Sequence, residues 1–569
     1  MNAQNVLQKA EQFFQDAPDL YPGETFTHKI PNIKLLSSNP SSVRGSLALT
    51  SHRITFKRYG LSSTQGDFFI NIPYAAIRNI QKVGNRSRTR SAYYIEIETK
   101  DFRVYRFGFV RHNSQRGTVF THVLEQLSMV PLPMLCTLPV QGISSEKKAG
   151  NGWHLYNDVV DYHRMGLVGP KSDGKLVITN QNRNFQISPT YPPQFVIPRH
   201  AENILQDVCA FRSRARVPVA TFKYNDSALW RSSQPCVGIL NTLSEEDVSY
   251  LGMIGPTVFV LDCRPMANAY GNRATGKGFE TAQYRNVQLW WANIENIHVM
   301  RESMCRVKAA VFEPLVDETT RSAFGIVNGD VAHSVPKPSF MPVIDDSAFY
   351  HILHQSGWLQ HIRTMLQAAA VGVEVLRGGT SVLVHCSDGW DRTAQVCCLI
   401  EMCLDPFYRT SRGLCSLIEK HFITYGHKFL DRTLFYQHES KKSFGLKIGS
   451  SMNHKEKQRE ESPIFLQFID GVYQLLNQFP NHFEFNQTLL IDILDGFFDG
   501  ISGTFLSNTI KERFQNSLMM YPSLWDLLEL EHVKYLNLDY SPFSESILPK
   551  IKMRNIAFWK DYYCRYSEQ

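Results

Sequence analysis

The stretch Ser381 to Val396, SVLVHCSDGWDRTAQV, leaves the chain few choices. Ser381-Val382-Leu383-Val384 is a short, β-branched, apolar run that reads as a buried strand. His385-Cys386 follows, then the loop Ser387-Asp388-Gly389-Trp390-Asp391, then Arg392-Thr393 and the apolar AQVCCLIEMCL, a good helix. A strand therefore enters a tight loop, and the loop opens a helix. The first N–H groups of a helix have no internal partner, and the helix dipole adds positive charge there, so this corner is an anion site. Arg392 supplies a planar fork suited to two phosphate oxygens. Cys386 faces the same cradle, where positive surroundings favour its nucleophilic thiolate. Asp391 sits in the loop, placed to protonate a leaving alkoxide. Nucleophile, clamp and acid fall within the seven residues Cys386 to Arg392.

A Cys-x5-Arg spacing alone is weak. With 11 cysteines and 60 Lys and Arg among 569 residues, about one chance Cys-x5-[Lys/Arg] is expected. The chain holds a decoy, Cys403-LDPFY-Arg409, with a proline, no glycine and no preceding strand. It reads as a helix end and turn, with Cys403 a small core residue. Cys386 could be the same kind of buried thiol, but the strand, Gly389, Asp391 and the helix favour phosphate chemistry. HCSDGWDRTAQ, His385 to Gln395, resembles the active-site signature of the myotubularin family of phosphoinositide phosphatases. Protein tyrosine phosphatases share the Cys-x5-Arg but not the Gly-Trp-Asp-Arg-Thr-Ala-Gln.

Composition narrows the classes. At 569 residues the chain is long enough for more than one domain. Its 43% hydrophobic and 20% charged residues are ordinary for a globular protein. A net charge of +7 is too mild for nucleic-acid binding and compatible with anionic membrane surfaces. The cysteines are odd in number and lack a CxxC pair, which argues for a reducing cytoplasm and against zinc. The opening MNAQNVLQKAEQFFQDAPDL has no signal-peptide core. No apolar run approaches the ~20 residues of a membrane span.

In order along the chain, residues 1–20 form an N-terminal segment with a short amphipathic helix, and residues 21–140 read as short strands followed by one helix. Leu47 and Leu49, Ile54 and Phe56, and Tyr93, Ile95 and Ile97 alternate at period two; Phe120, Leu124 and Leu127 share a helical face. This suits a small PH-like β-barrel. Gly45-x-Leu-x-Leu-Thr-x-x-Arg53-x-x-Phe56 resembles the GRAM motif, which myotubularins carry in a PH-GRAM domain at this place. A loop with Lys82, Arg86, Arg88 and Arg90 reads equally as a lipid-headgroup contact or a solvated hairpin tip. Residues 141–152, including GISSEKKAGNG, form the linker, and 153–569 the second domain. There Arg212, Arg214 and Arg216 read as structural salt-bridge partners. Pro256-TVFVLDCR is a buried strand, 356–377 a helix ended by Gly378-Gly379, 413–425 a further helix, and 449–463 an exposed charged loop. SPIFLQFIDGVYQLLNQFP is a core helix.

The blocks Asn268 to Glu280 and Asn293 to Ser303 resemble myotubularin motifs whose Asn residues surround the lipid headgroup. That implies headgroup contacts from Asn272, Asn296 and the Ile297 backbone, where residues alone suggest turn and cap roles. Lys428 and Arg432 lie four apart, by themselves an ordinary basic helical face. The family has two arginines here that reach the other headgroup phosphates; Arg432 matches, and Lys428 is a point charge without the fork.

The expected architecture is thus multi-domain: a PH-GRAM β-barrel, then an α/β cysteine-phosphatase domain with a largely parallel central sheet flanked by helices. The resemblance implies hydrolysis of the 3-phosphate of phosphatidylinositol 3-phosphate and phosphatidylinositol 3,5-bisphosphate. Cys386 would be the nucleophile, Arg392 with the backbone of Ser387, Asp388, Gly389 and Trp390 the clamp, and Asp391 the acid. No metal or other cofactor is implied. The expected partners are phosphoinositide lipids, at cytoplasmic and especially endosomal membrane surfaces. No heptads follow the tail NIAFWKDYYCRYSEQ, so no C-terminal coiled coil for dimerisation is expected. A phosphotyrosine enzyme and a non-enzymatic lipid-binding adaptor are the two other readings.

Overall fold

The computed structural model describes residues 20, 24–36, 43–59, 69–84, 93–109, 114–129, 152–312, 346–433 and 460–565. The N-terminal helix expected before residue 20, the basic positions Arg86, Arg88 and Arg90, the linker up to residue 151 and the charged loop before residue 460 lie outside the described residues.

The N-terminal unit is an antiparallel sheet of seven strands: β1 (Phe26–Leu35), β2 (Val43–Thr50), β3 (Arg53–Arg58), β4 (Phe69–Pro73), β5 (Ile77–Val83), β6 (Tyr94–Thr99) and β7 (Val104–Gly108). Their order is β4-β3-β2-β1-β7-β6-β5. The period-two pattern has a physical outcome: Leu47, Leu49, Ile54, Phe56, Ile95 and Ile97 are all fully buried. Helix α1 (Gln115–Met129) covers this core with Val119, Val123 and Leu127, while Phe120 and Leu124 pack at its margin. The expected Phe120–Leu124–Leu127 face is therefore rotated by about one position.

The second unit is built on β8 (Leu176–Thr179), β9 (Phe195–Pro198), β10 (Val219–Tyr224), β11 (Ser227–Ser233), β12 (Val258–Asp262), β13 (Val287–Trp291) and β14 (Ser381–Cys386). Their order is β13-β12-β14-β11-β10-β9-β8. The pairs around β14, namely β11–β14, β12–β14 and β12–β13, are parallel. The pairs β10–β11, β9–β10 and β8–β9 are antiparallel. The sheet is mixed, not largely parallel: its far half is built from antiparallel pairs of strands consecutive in sequence, and β10 and β11 are joined by a tight hairpin.

The helices that matter for the site are α2 (Met266–Arg273), α3 (Ile297–Phe312), α4 (Trp358–Arg377), α5 (Arg392–Leu404), α6 (Phe429–Thr433), α7 (Ile464–Gln478) and α8 (Gln487–Asp499). Left-handed Gly357 starts α4 and Gly379, at φ 83°, follows its end. Helix α5 is buried along its whole length. Such a helix cannot be amphipathic: its sequence is largely apolar, and its buried Gln395 and Glu401 are hydrogen-bonded. Because β14 is flanked on both sides by parallel neighbours, the carboxyl ends of β11, β12 and β14 open onto one crevice, the place where α/β sheets bind ligands.

The two units touch. Phe102 packs edge-on against Tyr563 and Tyr562, with ring centroids 5.1 and 5.9 Å apart. Arg78 joins Glu461 at 3.0 Å, Arg103 pairs with Asp499, and Lys308 Nζ donates to the Asp101 carbonyl at 2.7 Å. Among the described residues no helix is long and apolar enough to cross a membrane.

Candidate active site

Strand β14 delivers Cys386 to the base of the loop, and α5 begins at Arg392. The Gly389 N–H donates to Cys386 Sγ at 3.3 Å, folding the loop back over the sulfur. That fold needs Gly389 at φ 77°, and a Cβ there would collide with the Ser232 carbonyl. Burial alone would push the Cys386 thiol up; the Arg392 guanidinium and Thr393 outweigh it and hold the thiol below its ordinary value.

Arg392 is placed by two bonds. It donates to the Ile294 carbonyl at 3.1 Å and to Ser387 Oγ at 3.3 Å. Asn272, on α2, reaches the same hydroxyl at 3.4 Å and Gln234 Oε1 at 3.2 Å. Ser387, Arg392 and Asn272 are thus brought together. Asp388 turns outward: Ser213 Oγ donates to it at 2.7 Å, and Arg214 and Lys277 stand 3.7 Å away. Trp390 forms a wall, with Lys428 Nζ 5.1 Å and the Arg214 guanidinium 5.6 Å from its ring.

Asp391 is not poised as an acid in this arrangement. Arg432 grips it with two bonds, at 3.1 and 2.8 Å, and His427 Nδ1 stands at 3.1 Å. Burial would favour the neutral acid, but Arg432 and then His427 outweigh it, so Asp391 is held as a carboxylate well below the usual range. Arg432 likewise differs from expectation. It is 5% exposed and spans Asp391 and Glu460, the latter at 2.8 Å, instead of lying on an open basic face. Lys428, one turn before it, stays half-buried over Trp390.

Asn296 and Ile297 do not reach the loop by side chain or carbonyl. Asn296 Oδ1 accepts the N–H groups of His298 and Val299 at 2.9 and 3.2 Å, capping α3. The Ile297 carbonyl accepts Ser462 Oγ at 3.0 Å. The segment meets the loop at Ile294 instead, through Arg392.

Behind the loop lies a network that pattern-reading missed. The Gly389 carbonyl accepts Arg231 at 2.7 Å and Arg216 at 3.0 Å. Arg212 joins Asp247 and Glu280, each at 2.7 Å, and Glu280 takes His385 Nε2 at 2.9 Å. Burial disfavours a charge on His385, yet Glu280 and then Asp262 outweigh it and raise its pKa. Of the three arginines read as salt-bridge partners, Arg212 is one in the buried network, Arg214 is one at the exposed rim, 3.7 Å from Asp388, and Arg216 serves carbonyls. Arg214 and Ala215, at φ 58° and 56°, are left-handed in succession. That turn costs ~1–2 kcal/mol per residue, and it aims Ser213 at Asp388 and Arg216 at Gly389. The legible signals were Arg231 inside the apolar run ALWRSS and His427 beside Lys428. The decoy is structural: burial pushes the Cys403 thiol up to about 12, and Arg409 donates to the Phe543 and Glu545 carbonyls at 2.7 and 3.0 Å.

Comparison with known proteins agrees with this geometry. The model of the myotubularin-like phosphatase domain matches residues 137–514, and that of the GRAM domain residues 12–129. Myotubularin of Xenopus laevis is 35% identical over 565 residues, spanning 96% of this chain and 84% of its own. Phosphatidylinositol-3,5-bisphosphate 3-phosphatase MTMR2 of Mus musculus is 33% identical over 581 residues, spanning 99% and 81%. Myotubularin of Rattus norvegicus is 34% identical over 543 residues, spanning 92% and 80%. With a buried cysteine and arginine facing one amide-lined loop, and kinship along nearly the whole length, the chain belongs to the myotubularin family.

Proposed function

We propose that this chain hydrolyses the 3-phosphate of phosphatidylinositol 3-phosphate and phosphatidylinositol 3,5-bisphosphate through a phosphocysteine on Cys386. The observation that carries the reading is the Cys386 thiol, buried yet held below its ordinary pKa at the floor of a strand–loop–helix anion cradle. In the first step the Cys386 sulfur attacks phosphorus. Arg392 and the amides of residues 387–391 hold the equatorial oxygens as charge develops on them. The inositol oxygen leaves with a proton from Asp391, and water then hydrolyses the phosphocysteine.

The Arg432 pair gives the acid step a condition. Asp391 is ionised while Arg432 grips it. A headgroup bearing a further anionic group competes for Arg432, and drawing the guanidinium away removes the main charge that keeps Asp391 ionised. Asp391 then takes up the proton it must donate. Lys428, over Trp390, meets the outer part of the same headgroup, with Asn272 on the opposite wall and Asn296 and the Ile297 amide at its edge. The N-terminal sheet is read as the PH-like barrel of a PH-GRAM unit occupying about residues 21–140, which with a basic surface holds the protein peripherally at cytoplasmic, endosomal membranes. Phosphate release from short-chain phosphoinositides and from phosphotyrosine peptides tests the assignment. Release confined to the 3-phosphorylated lipids is expected. Release mainly from peptides, or from neither class, would overturn it.

A further inference from the structure

The sheet places a second cysteine beside Cys386. Strands β12 and β14 pair in parallel with Asp262 opposite His385, and the ladder runs one step further: the Cys263 N–H donates to the His385 carbonyl at 2.8 Å. In a parallel ladder, a residue whose N–H meets the carbonyl before position j stands opposite j. Cys263 therefore stands opposite Cys386. Residues opposite one another project from the same face of the sheet. The alternation agrees, since Asp262 and His385 approach to 3.9 Å on one face, while Leu261, Val384, Cys263 and Cys386 belong to the core on the other. Neighbouring strands lie ~4.7–4.9 Å apart, inside the ~4.4–6.8 Å between Cα atoms that a disulfide spans. Both cysteines are free thiols.

Their surroundings assign them different parts. Arg392 and Thr393 outweigh burial at Cys386 and hold its thiol down. Burial, and then the neighbouring Cys386, push the Cys263 thiol well above its ordinary value. An oxidant that enters the phosphate cradle meets the more readily ionised thiol at Cys386, with the less acidic Cys263 behind it.

We propose that Cys263 is a resolving cysteine, which closes a disulfide with Cys386 after a hydroperoxide has oxidised it. In the first step the Cys386 thiolate takes the distal peroxide oxygen. The S–O bond forms, the O–O bond breaks, and hydroxide or alkoxide leaves, so sulfur loses two electrons and the peroxide gains them. In the second step the Cys263 sulfur attacks the sulfenic sulfur of Cys386. The S–S bond forms, the S–O bond breaks, and the departing hydroxide takes the Cys263 proton as water. The product is inactive but recoverable by an external dithiol, and it keeps Cys386 from reaching the irreversible sulfinic and sulfonic states.

The test is peptide mapping of the full chain after hydrogen peroxide treatment, with and without dithiothreitol. The expected result is one cross-linked peptide joining Cys263 to Cys386, lighter by about 2 Da than the separate thiol peptides and lost on reduction. Phosphate release should disappear and return with it. In Cys263→Ala and Cys263→Ser, peroxide should drive Cys386 to sulfinic and sulfonic acid, with no recovery in dithiothreitol. Wild-type protein in which Cys386 over-oxidises while Cys263 stays a free thiol, or in which Cys386 pairs with Cys397, overturns the proposal. The mapping reads wild-type protein, so the result depends neither on how the variants fold nor on which substrate the enzyme takes.

Discussion

Asp391 and Arg432 set the terms at the scale of single residues. A carboxylate gripped by a guanidinium at 2.8 Å cannot donate a proton until the pair loosens. A leaving group that is already acidic does not need that proton, whereas an inositol alkoxide does. Asp391→Asn should therefore lower kcat/KM on a phosphoinositide by ~10²–10⁴-fold, the range for losing a general acid, and spare an aryl phosphate with an acidic phenol. Arg432→Ala should show the same selectivity, because it removes the proposed headgroup contact, which an aryl phosphate does not make. Equal losses on the two substrates would mean that the pair only supports the fold. Thiol chemistry gives a second check. Because the Cys386 thiol is held below its ordinary value, its alkylation by iodoacetamide should rise with pH to a midpoint below that of the same thiol in the unfolded chain. Cys397 and Cys403, pushed up to about 12 by burial, should stay unmodified in the folded protein. Cys386, Asp391 and Arg392 were visible in the sequence because one loop of seven residues carries them. Nothing local revealed that Asp391 spends the resting state paired with Arg432, 41 positions away.

The loop is held from behind by a relay that crosses several elements. The Gly389 carbonyl accepts Arg231, and Arg231 also donates to His421 Nδ1 at 2.9 Å. His421 Nε2 then meets Glu401 at 2.8 Å, and Lys420 meets the other Glu401 oxygen at 2.8 Å. Burial pushes His421 down to about 4, so near neutral pH it is uncharged, accepting from Arg231 and donating to Glu401. Burial would raise Glu401, but Lys420 and then His421 outweigh it and bring it to about 2. A carboxyl whose folded pKa lies below its unfolded value contributes stability above the unfolded value and loses it as pH falls through the folded one. This contribution is present above about 4.5 and fades towards about 2. Glu401→Gln leaves the buried Lys420 with Asp161 as its remaining carboxylate, and should cost ~3–5 kcal/mol in denaturant unfolding at pH 7. It should also flatten the acid limb of the stability profile. A variant as stable as wild type would remove the relay from the account. Strand β14 and helix α5 were legible because a β-branched run, a glycine loop and an apolar run stand in a row. The relay was not, because Gly389 and Arg231 are 158 positions apart and a charge inside an apolar strand was its one local sign.

Across the molecule, the N-terminal sheet and the catalytic unit are joined by apolar packing and by a short acidic segment. Glu460 reaches Arg432 while its neighbour Glu461 reaches Arg78 of β5, so adjacent residues tie the site to the first unit. Phe102, 1% exposed between Tyr562 and Tyr563, is the apolar anchor. Phe102→Ala should cost ~3–5 kcal/mol and lower the melting temperature measured by calorimetry; an unchanged melting curve would mean that the units are energetically independent. The proposed peripheral membrane association makes a separate prediction: binding to anionic liposomes should weaken as salt rises, because exposed charges are screened over ~8–10 Å. Binding indifferent to salt would indicate apolar insertion. At this scale the sequence was informative where periodicity spoke, as in the alternating strands of the first sheet. It was misleading on the second sheet, where short strands such as β8 and β9 carry too few residues to declare their direction.

The proposed phosphocysteine on Cys386 is a covalent species that can be trapped. Enzyme mixed with short-chain phosphatidylinositol 3-phosphate and quenched within a turnover should carry phosphate on the Cys386 peptide. Cys386→Ser, which keeps the loop amides, should bind the headgroup and release no phosphate. Phosphate found on another residue, or turnover surviving in Cys386→Ser, would contradict the account.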